Sequence, residues 1–544
     1  MSLGKTPSLE NLYPGVAEFC EERLSEVSIF RVLHREAPRL FADEAFADLF
    51  DSVGRRSIPP RIVAVVMVLQ RIEGLSDREA VDRFAFDLRW KYAAGGLDAE
   101  FPSFVHTVLV DMRARLRASQ QPDRIFESVL DVAKRAGLVG KKRVLDSTAL
   151  YDAVATQDTI TMIRAAIRGV LRVADAPLKA ELRVVLKRND DYASAGKPVC
   201  DWDDKAAREA LVDELARDGH AVLVALDGRV LQADVTAAGE LLATVLGQDI
   251  DKGEDGRFRI ARRVAPDRII STVDTESRHG HKTAARGFDG YKGHVAIDPD
   301  SEIITAVEVT AGNVGDAVPA EVLLADVLPP LPASAATDSA EAGTSECAAE
   351  ADQPAESTQP EERIAVYGDA SYGTADLVER LEGAGIEANV KVQSPTARDG
   401  MYAQDAFKID REAGTAICPA GNQVDLRTRT DGSSHASFGD ACASCPLKPK
   451  CTKSESGRTI NVHAKHETLK DARERQRRDE WKQDYRATRP KVERKIGHLM
   501  RRKHGGRRSR MRGRVRIRQD FMLLAAAVNL QRLAVLDAIN TSGT

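Results

Sequence analysis

No uninterrupted apolar run in this chain of 544 residues is long enough to cross a bilayer. The stretch 62–69 is too short, and Asn529, Gln531, Arg532 and Asp537 interrupt the stretch 521–539. The first fifteen residues carry Pro and acids but no apolar block, so they do not read as a secretory signal. A soluble cytoplasmic protein without a membrane partner is the expectation. Cysteine is scarce: of seven, Cys20, Cys200 and Cys347 are scattered and read as free thiols, while the other four fall between 418 and 451. Residues 329–362 lack Lys, Arg and aromatics altogether and hold eight acids. A segment of that composition cannot bury enough surface to order itself, and a disordered acidic insertion is expected there.

Acid is nearly absent from the stretch 486–518, where fifteen Lys/Arg accompany a single carboxylate, Glu493. The whole chain has 79 basic and 83 acidic residues; without this segment it would have 64 and 82, a net charge of −18. Basic character is therefore concentrated on one face and not spread over the surface, as in proteins that neutralise nucleic-acid phosphates. A lone Glu in that field stays ionised and is suited to hold a divalent cation beside a phosphate.

Along the chain, residues 18–120 carry apolar residues at helical spacing, with Pro59-Pro60 as punctuation. Ser76 and Glu79 form a capping-box pattern at a helix start. A short apolar run follows, Arg143-Val144-Leu145-Asp146, and reads as a strand presenting Asp146 at its C-terminal end. Residues 157–265 look mostly helical. Two strands over 291–297 and 302–309, separated by the turn sequence 298–301, form a hairpin pattern, and a helix is predicted over 316–328. A second apolar strand, 363–367, ends in Gly368-Asp369, with a helix from Thr374. An apolar helix over 521–538 closes the fold. The organisation expected is a helical domain over 1–120 and an α/β domain over 141–544. Into the latter are set a helical insertion (157–265), the acidic one (329–362) and a cysteine-rich one (410–460).

Asp146, Asp369 and Glu493 thus form an ordered series of two strand-terminal acids and a helical one. Carboxylates brought together from distant segments suit Mg²⁺, which takes a few carboxylates plus substrate phosphate oxygens, and a pair of such ions supports in-line phosphoryl displacement. With 83 acids in the chain, spacing alone does not select these three. The surrounding stretches do. Gly74-Leu75-Ser76-Asp77-Arg78-Glu79-Ala80, Leu145-Asp146-Ser147-Thr148, Gly290-Tyr291-Lys292-Gly293-His294 and Asn313-Val314-Gly315-Asp316 occur in order. Gly368-Asp369-Ala370-Ser371-Tyr372-Gly373, Arg489-Pro490-Lys491-Val492-Glu493-Arg494 and Asn529-Leu530 complete the set. Together they resemble the DDE transposases of bacterial insertion sequences, in the branch with an N-terminal helical domain and an internal cysteine cluster.

The resemblance implies an α/β fold with an RNase H-like mixed sheet flanked by helices and an all-α N-terminal domain. It implies Asp146, Asp369 and Glu493 as catalytic ligands of Mg²⁺ or Mn²⁺. The implied partner is double-stranded DNA, both terminal inverted repeats and target, bound by a homodimer on paired ends. The family places a Tyr and an Arg before the catalytic Glu and a basic residue after it; Tyr485, Arg489 and Arg501 fit by type but depart from the commonest spacing. Pro490 suits the first turn of a helix, which would put Glu493 where the helix dipole favours an anion. Asp274 competes with Asp146 for the role of first acid, but no comparable strand precedes it.

Cys442-x2-Cys445 resembles a zinc knuckle, with Cys418 and Cys451 as the remaining pair, so a structural Zn²⁺ is expected; an iron–sulfur cluster and unbound thiols are the other readings. Within the basic run, Arg489, Lys491, Arg494, Lys495, Arg501, Arg502, Arg507 and Arg508 are candidate DNA contacts, joined by Lys292. The stretch 504–518 is glycine-punctuated and free of aromatics, which favours phosphate contact over base stacking. Two other functions remain open to the sequence: a metal-dependent nuclease of the same fold without strand transfer, and an inactive DNA-binding descendant.

Overall fold

A computed structural model of the chain describes residues 1–3, 5, 14–283, 286–330, 363–397 and 399–536. The acidic insertion anticipated over 329–362 lies, from 331 on, outside the described residues. The N-terminal region is helical: α1 (Pro14–Arg23), α2 (Ile29–Leu40), α3 (Pro60–Glu73), α4 (Asp77–Phe86), α5 (Leu88–Ala93), α6 (Thr107–Ala118) and α7 (Arg124–Arg135). Helix α3 is apolar on nearly every side and buries twelve of its residues, as such a helix must. Gly74 caps it in the left-handed conformation (φ 68°), and a Cβ there would meet the Lys503 carbonyl oxygen at 2.4 Å, so glycine serves both the turn and the close approach. Helix α4 starts at the expected capping box, Ser76 accepting from the Glu79 amide and Glu79 from that of Ser76.

Strand β1 (Lys142–Tyr151) leads into four helices, α8 (Thr159–Val173), α9 (Ala176–Val185), α10 (Lys205–Leu226) and α11 (Ala233–Asp249), followed by the hairpin β2 (Ile250–Lys252) and β3 (Phe258–Ile260). These elements enclose their own core, which includes Ile163, Ile167, Leu215 and Leu242. The chain returns through β4 (Arg278–Thr283), β5 (Arg286–Ile297) and β6 (Ile304–Ala311), the short α12 (Ala320–Leu323), β7 (Ala365–Gly368), α13 (Ala375–Gly383) and β8 (Glu387–Val390). Six short strands form two small three-stranded sheets around the cysteines: β9 (Lys408–Asp410), β10 (Thr415–Ile417), β11 (Gln423–Asp425), β12 (Arg427–Thr428), β13 (Ser434–Ser437) and β14 (Thr459–Val462). Helices α14 (His466–Arg477), α15 (Asp479–Thr488), α16 (Pro490–Leu499) and α17 (Arg514–Val535) finish the described chain.

The central sheet runs β6-β5-β1-β7-β8, antiparallel through β1 and parallel from β1 to β8, with β4 extending the β6 side along the first part of β5. This mixed sheet with helices on both faces agrees with the RNase H-like architecture expected. On one face Leu145, Ala296 and Val366 pack with Leu323 of α12, Val378 of α13 and Ala472 of α14. On the other, Val144, Val295 and Tyr367 share one core with α16, α17 and helices of the N-terminal region. Helix α17 is the common element. Asn529, fully buried, accepts from the Ile304 amide (2.9 Å) and donates to the Ile304 carbonyl (2.8 Å), fixing α17 to the sheet. On its opposite side Asp520 pairs with buried Arg71 of α3 at 3.3 Å.

Several local expectations are corrected. Asp146 lies in the middle of β1, because antiparallel pairing with β5 carries the strand on to Tyr151. Strand β6 begins at Ile304, since Glu302 takes a left-handed conformation (φ 60°) in the turn. The helix predicted over 316–328 is reduced to α12 and turns.

Because Asp520 supplies the charge opposite buried Arg71, Asp520→Ala should destabilise the protein by roughly 3 kcal/mol or more. Chemical denaturation should show the N-terminal helices and the sheet losing structure in the same transition.

Candidate active site and cysteine centre

The parallel register that sets Val144 beside Tyr367 carries Asp146 alongside Asp369, the residue just beyond the end of β7. Val144 and Tyr367 lie in the core beneath α16, so Asp146, two residues on from Val144, faces that helix. Helix α16 begins at Pro490, as its sequence predicts, and Glu493 stands in the first turn. Between the three acids lies Arg489. Its guanidinium is 3.1 Å from Asp146, 3.8 Å from Asp369 and 3.4 Å from Glu493, and its side chain is only 7% exposed. Among the described residues its Nε and Nη1 atoms make no hydrogen bond. Three like charges from three elements are thus gathered around one cation.

The acids differ in environment. Burial pushes the Asp146 carboxyl above the usual range, against the opposing pull of Arg489, and the Ser147 amide donates to it at 2.8 Å. Asp369 is fixed by the Ser371 amide at 2.9 Å. Tyr485, stacked on Trp481, donates to the carbonyl of Gly368 at 3.1 Å and so steadies the strand end that carries Asp369. Burial raises its phenol to about 12. Asp274, the competing acid, is buried elsewhere and accepts from the Tyr291 hydroxyl and the Gly513 amide.

A cavity of about 250 Å³ opens beside Asp146 and Asp369, lined also by Ser147, Lys292, Asp316 and Ser371. Lys292 is committed to Asp316 and the Val314 carbonyl, both at 2.8 Å, and Ser147 donates to the other oxygen of Asp316 at 2.7 Å. Sequence reasoning missed what lies behind this wall: fully buried His294 bridges the Tyr372 hydroxyl (3.3 Å) and the Thr310 hydroxyl (2.9 Å). Burial drives this imidazole down to about 4, so it is neutral near pH 7. Its alternation with Lys292 on β5 was the one available signal, since both side chains point to the same face of the sheet.

The basic run divides in two. Lys491, Arg494 and Lys495 turn toward Asp300 and Glu302 in the β5–β6 turn, away from the triad. Arg501, Arg502, Lys503, Arg507, Arg508, Arg512, Arg514 and Arg516 are exposed, and among the described residues none has an acidic partner within 4 Å. The loop bearing most of them is pinned by its backbone, Tyr151 donating to the Arg507 carbonyl and accepting from the Ser509 amide, and His504 binding the Ile72 carbonyl.

Cys418, Cys442, Cys445 and Cys451 surround a single cavity of about 10 Å³, about enough for one water-sized particle. Burial raises the Cys451 thiol, and the neighbouring cysteines add to this. Among the described residues, however, no group of three or more His, Cys, Asp or Glu side chains is spaced to hold a metal ion, at the cysteines or at the carboxylates.

Residues 417–534 match the family model described as Transposase DDE domain, and residues 18–115 match the one described as Transposase domain (DUF772). The two matches indicate a DDE-type insertion-sequence transposase. The first match includes the four clustered cysteines, Arg489, Glu493 and the whole basic run, and the second covers α2 to α5 with most of α1 and α6; Asp146 and Asp369 fall between them. No curated protein and no solved structure matches this transposase. Among its described residues no helix is long and apolar enough to cross a membrane.

Buried His294 makes stability of the transposase depend on pH. Its folded value of about 4 lies below the ordinary 6.5, so its contribution is complete above 6.5 and is lost as pH falls toward 4. Urea denaturation across that window should show a loss of roughly 1–3 kcal/mol attributable to this group. In His294→Gln the slope should flatten.

Proposed function

We propose that this transposase cuts the ends of its element and joins the freed 3′-OH to target DNA, with Asp146, Asp369 and Glu493 as the catalytic carboxylates. The observation that carries this is the convergence of the three acids on the Arg489 guanidinium, in a chain matched by a transposase DDE domain. The donor set fits Mg²⁺ or Mn²⁺: hard oxygen ligands, few in number, leaving positions for phosphate oxygens, with the guanidinium already standing among them as a cation. Divalent ions bound there supply Lewis-acid activation of the attacking oxygen and neutralise charge at the phosphorus.

The residues of the chain do the rest. Glu493, 65% exposed on the first turn of α16, is the acid most accessible to an arriving duplex. Arg489 holds the carboxylates in register, with Nη1 turned to Glu493 and a buried Nε–H that has no acceptor among the described residues. Tyr485 keeps the Asp369 strand end in place, and Lys292 holds Asp316 against the cavity wall. The exposed cations of 501–516 grip the DNA backbone without reading bases, and the helical region over 1–120 is the proposed reader of the terminal repeats. A homodimer would pair two ends.

The cysteines are proposed to hold a structural Zn²⁺. Four thiols around one ion-sized cavity are the chemistry that supports it, and closure to bonding distance would accompany deprotonation of the thiols.

A labelled duplex carrying the element's terminal repeats should be cut in Mg²⁺ and not in EDTA. Asp146→Asn, Asp369→Asn and Glu493→Gln should each lower cleavage by at least about a hundredfold while duplex affinity stays within a few-fold of wild type. Full cleavage by any of the three would remove that residue from the catalytic set. Elemental analysis should find one zinc per chain, absent in Cys442→Ser/Cys445→Ser, which should also melt at lower temperature; a wild-type protein free of zinc would refute the cysteine assignment.

A further inference from the structure

On the side of α16 opposite Arg489 and Glu493 lies a second cavity, of about 350 Å³, between α16, α17, the start of α2 and the β5–β6 turn. Its lining is rich in cations. Lys495, Arg501, Lys503 and Arg532 face it, and the acid among its lining residues is Glu302. Arg494 already engages Glu302 through both Nε and Nη2, so that charge is answered before the lining cations are considered. Lys495 is the telling residue. Its side chain is 2% exposed, its ammonium lies 3.9 Å from Glu302, and it makes no hydrogen bond among the described residues. Arg532 gives its Nε–H to the Ser301 carbonyl and, among the described residues, has no acidic partner within 4 Å. Ile29 and Val528 close the remaining wall.

A buried ammonium with no hydrogen-bond partner is costly unless something binds it. We propose that this cavity is a phosphate-binding site, in which Lys495 and Arg532 donate to the oxygens of one phosphate group while Arg501 and Lys503 complete its neutralisation from the rim. The site is separate from the carboxylate cluster and does not rest on the catalytic reading of it. Burial, with Arg532, Arg494 and Arg501 nearby, brings the Lys495 ammonium down to about 8, a penalty that an anion here would relieve. The phosphate has two possible sources with the same chemistry, the backbone of bound DNA or a free phosphate compound.

Titration of the full chain with inorganic phosphate, followed by calorimetry and by thermal melting, tests this. Wild type should bind and be stabilised. Lys495→Met, which keeps the length of the side chain without its charge, and Arg532→Gln should each weaken binding at least about tenfold. Lys205→Gln, at an 81% exposed cation of α10 far along the chain from the cavity lining, should bind as wild type does. Displacement of phosphate by a duplex, with weaker duplex affinity in Lys495→Met, assigns the site to the DNA backbone; simultaneous binding of both assigns it to a free phosphate compound. Equal phosphate binding by wild type, Lys495→Met and Arg532→Gln overturns the proposal, whatever Glu493→Gln does to cleavage.

Discussion

Three carboxylates near one another repel, and everything distinctive about the centre of this protein follows from how that repulsion is met. Arg489 meets it. Placed at the junction of α15 and α16 and nearly excluded from water, its guanidinium reaches Asp146, Asp369 and Glu493 at once. Without a cation there, burial would favour protonation of Asp146 further, since the neighbouring Asp369 already pushes in that direction. The position of Arg489 is itself held by the packing of α16 on the sheet through Val492 and Ile496.

Helix α16 therefore works in two directions. One side carries Glu493 and, just before its first turn, Arg489 toward the end of β7; the other carries Lys491, Arg494 and Lys495 toward the acids of the β5–β6 turn. The cations of a single basic run end up with different tasks, some balancing internal acids and some standing free on the 501–516 segment. A count of charges along the sequence cannot make that division, because it depends on which acids of a remote turn lie within reach.

The second constraint is the sharing of α17. Asn529 ties it to β6 and Asp520 ties it to α3, so the N-terminal helices and the central sheet meet over one continuous core. The helical insertion of α8–α11, by contrast, encloses a core of its own. The insertion can grow or shrink without touching the sheet, whereas a change in α17 reaches both ends of the chain.

Much of this was legible in the sequence. The capping box at Ser76, Pro490 as the first residue of α16, the apolar character of α17 and the helical run of 157–265 all follow from local propensity and patterning, which act over a few residues. The mixed α/β class followed from the order of strand and helix patterns. The extent of β1 did not, because it is set by pairing with β5, well over a hundred residues away. Nor did the short α12 or the left-handed Glu302, where a turn overrides the strand pattern. The sequence named Asp146, Asp369 and Glu493 only through the stretches around them. Their approach to one guanidinium is a product of the β1–β7 register and the packing of α16. His294 and the buried ammonium of Lys495, which among the described residues has an ion pair but no hydrogen bond, could be found only in three dimensions, since burial and hydrogen bonding are properties of the surroundings and not of the residue.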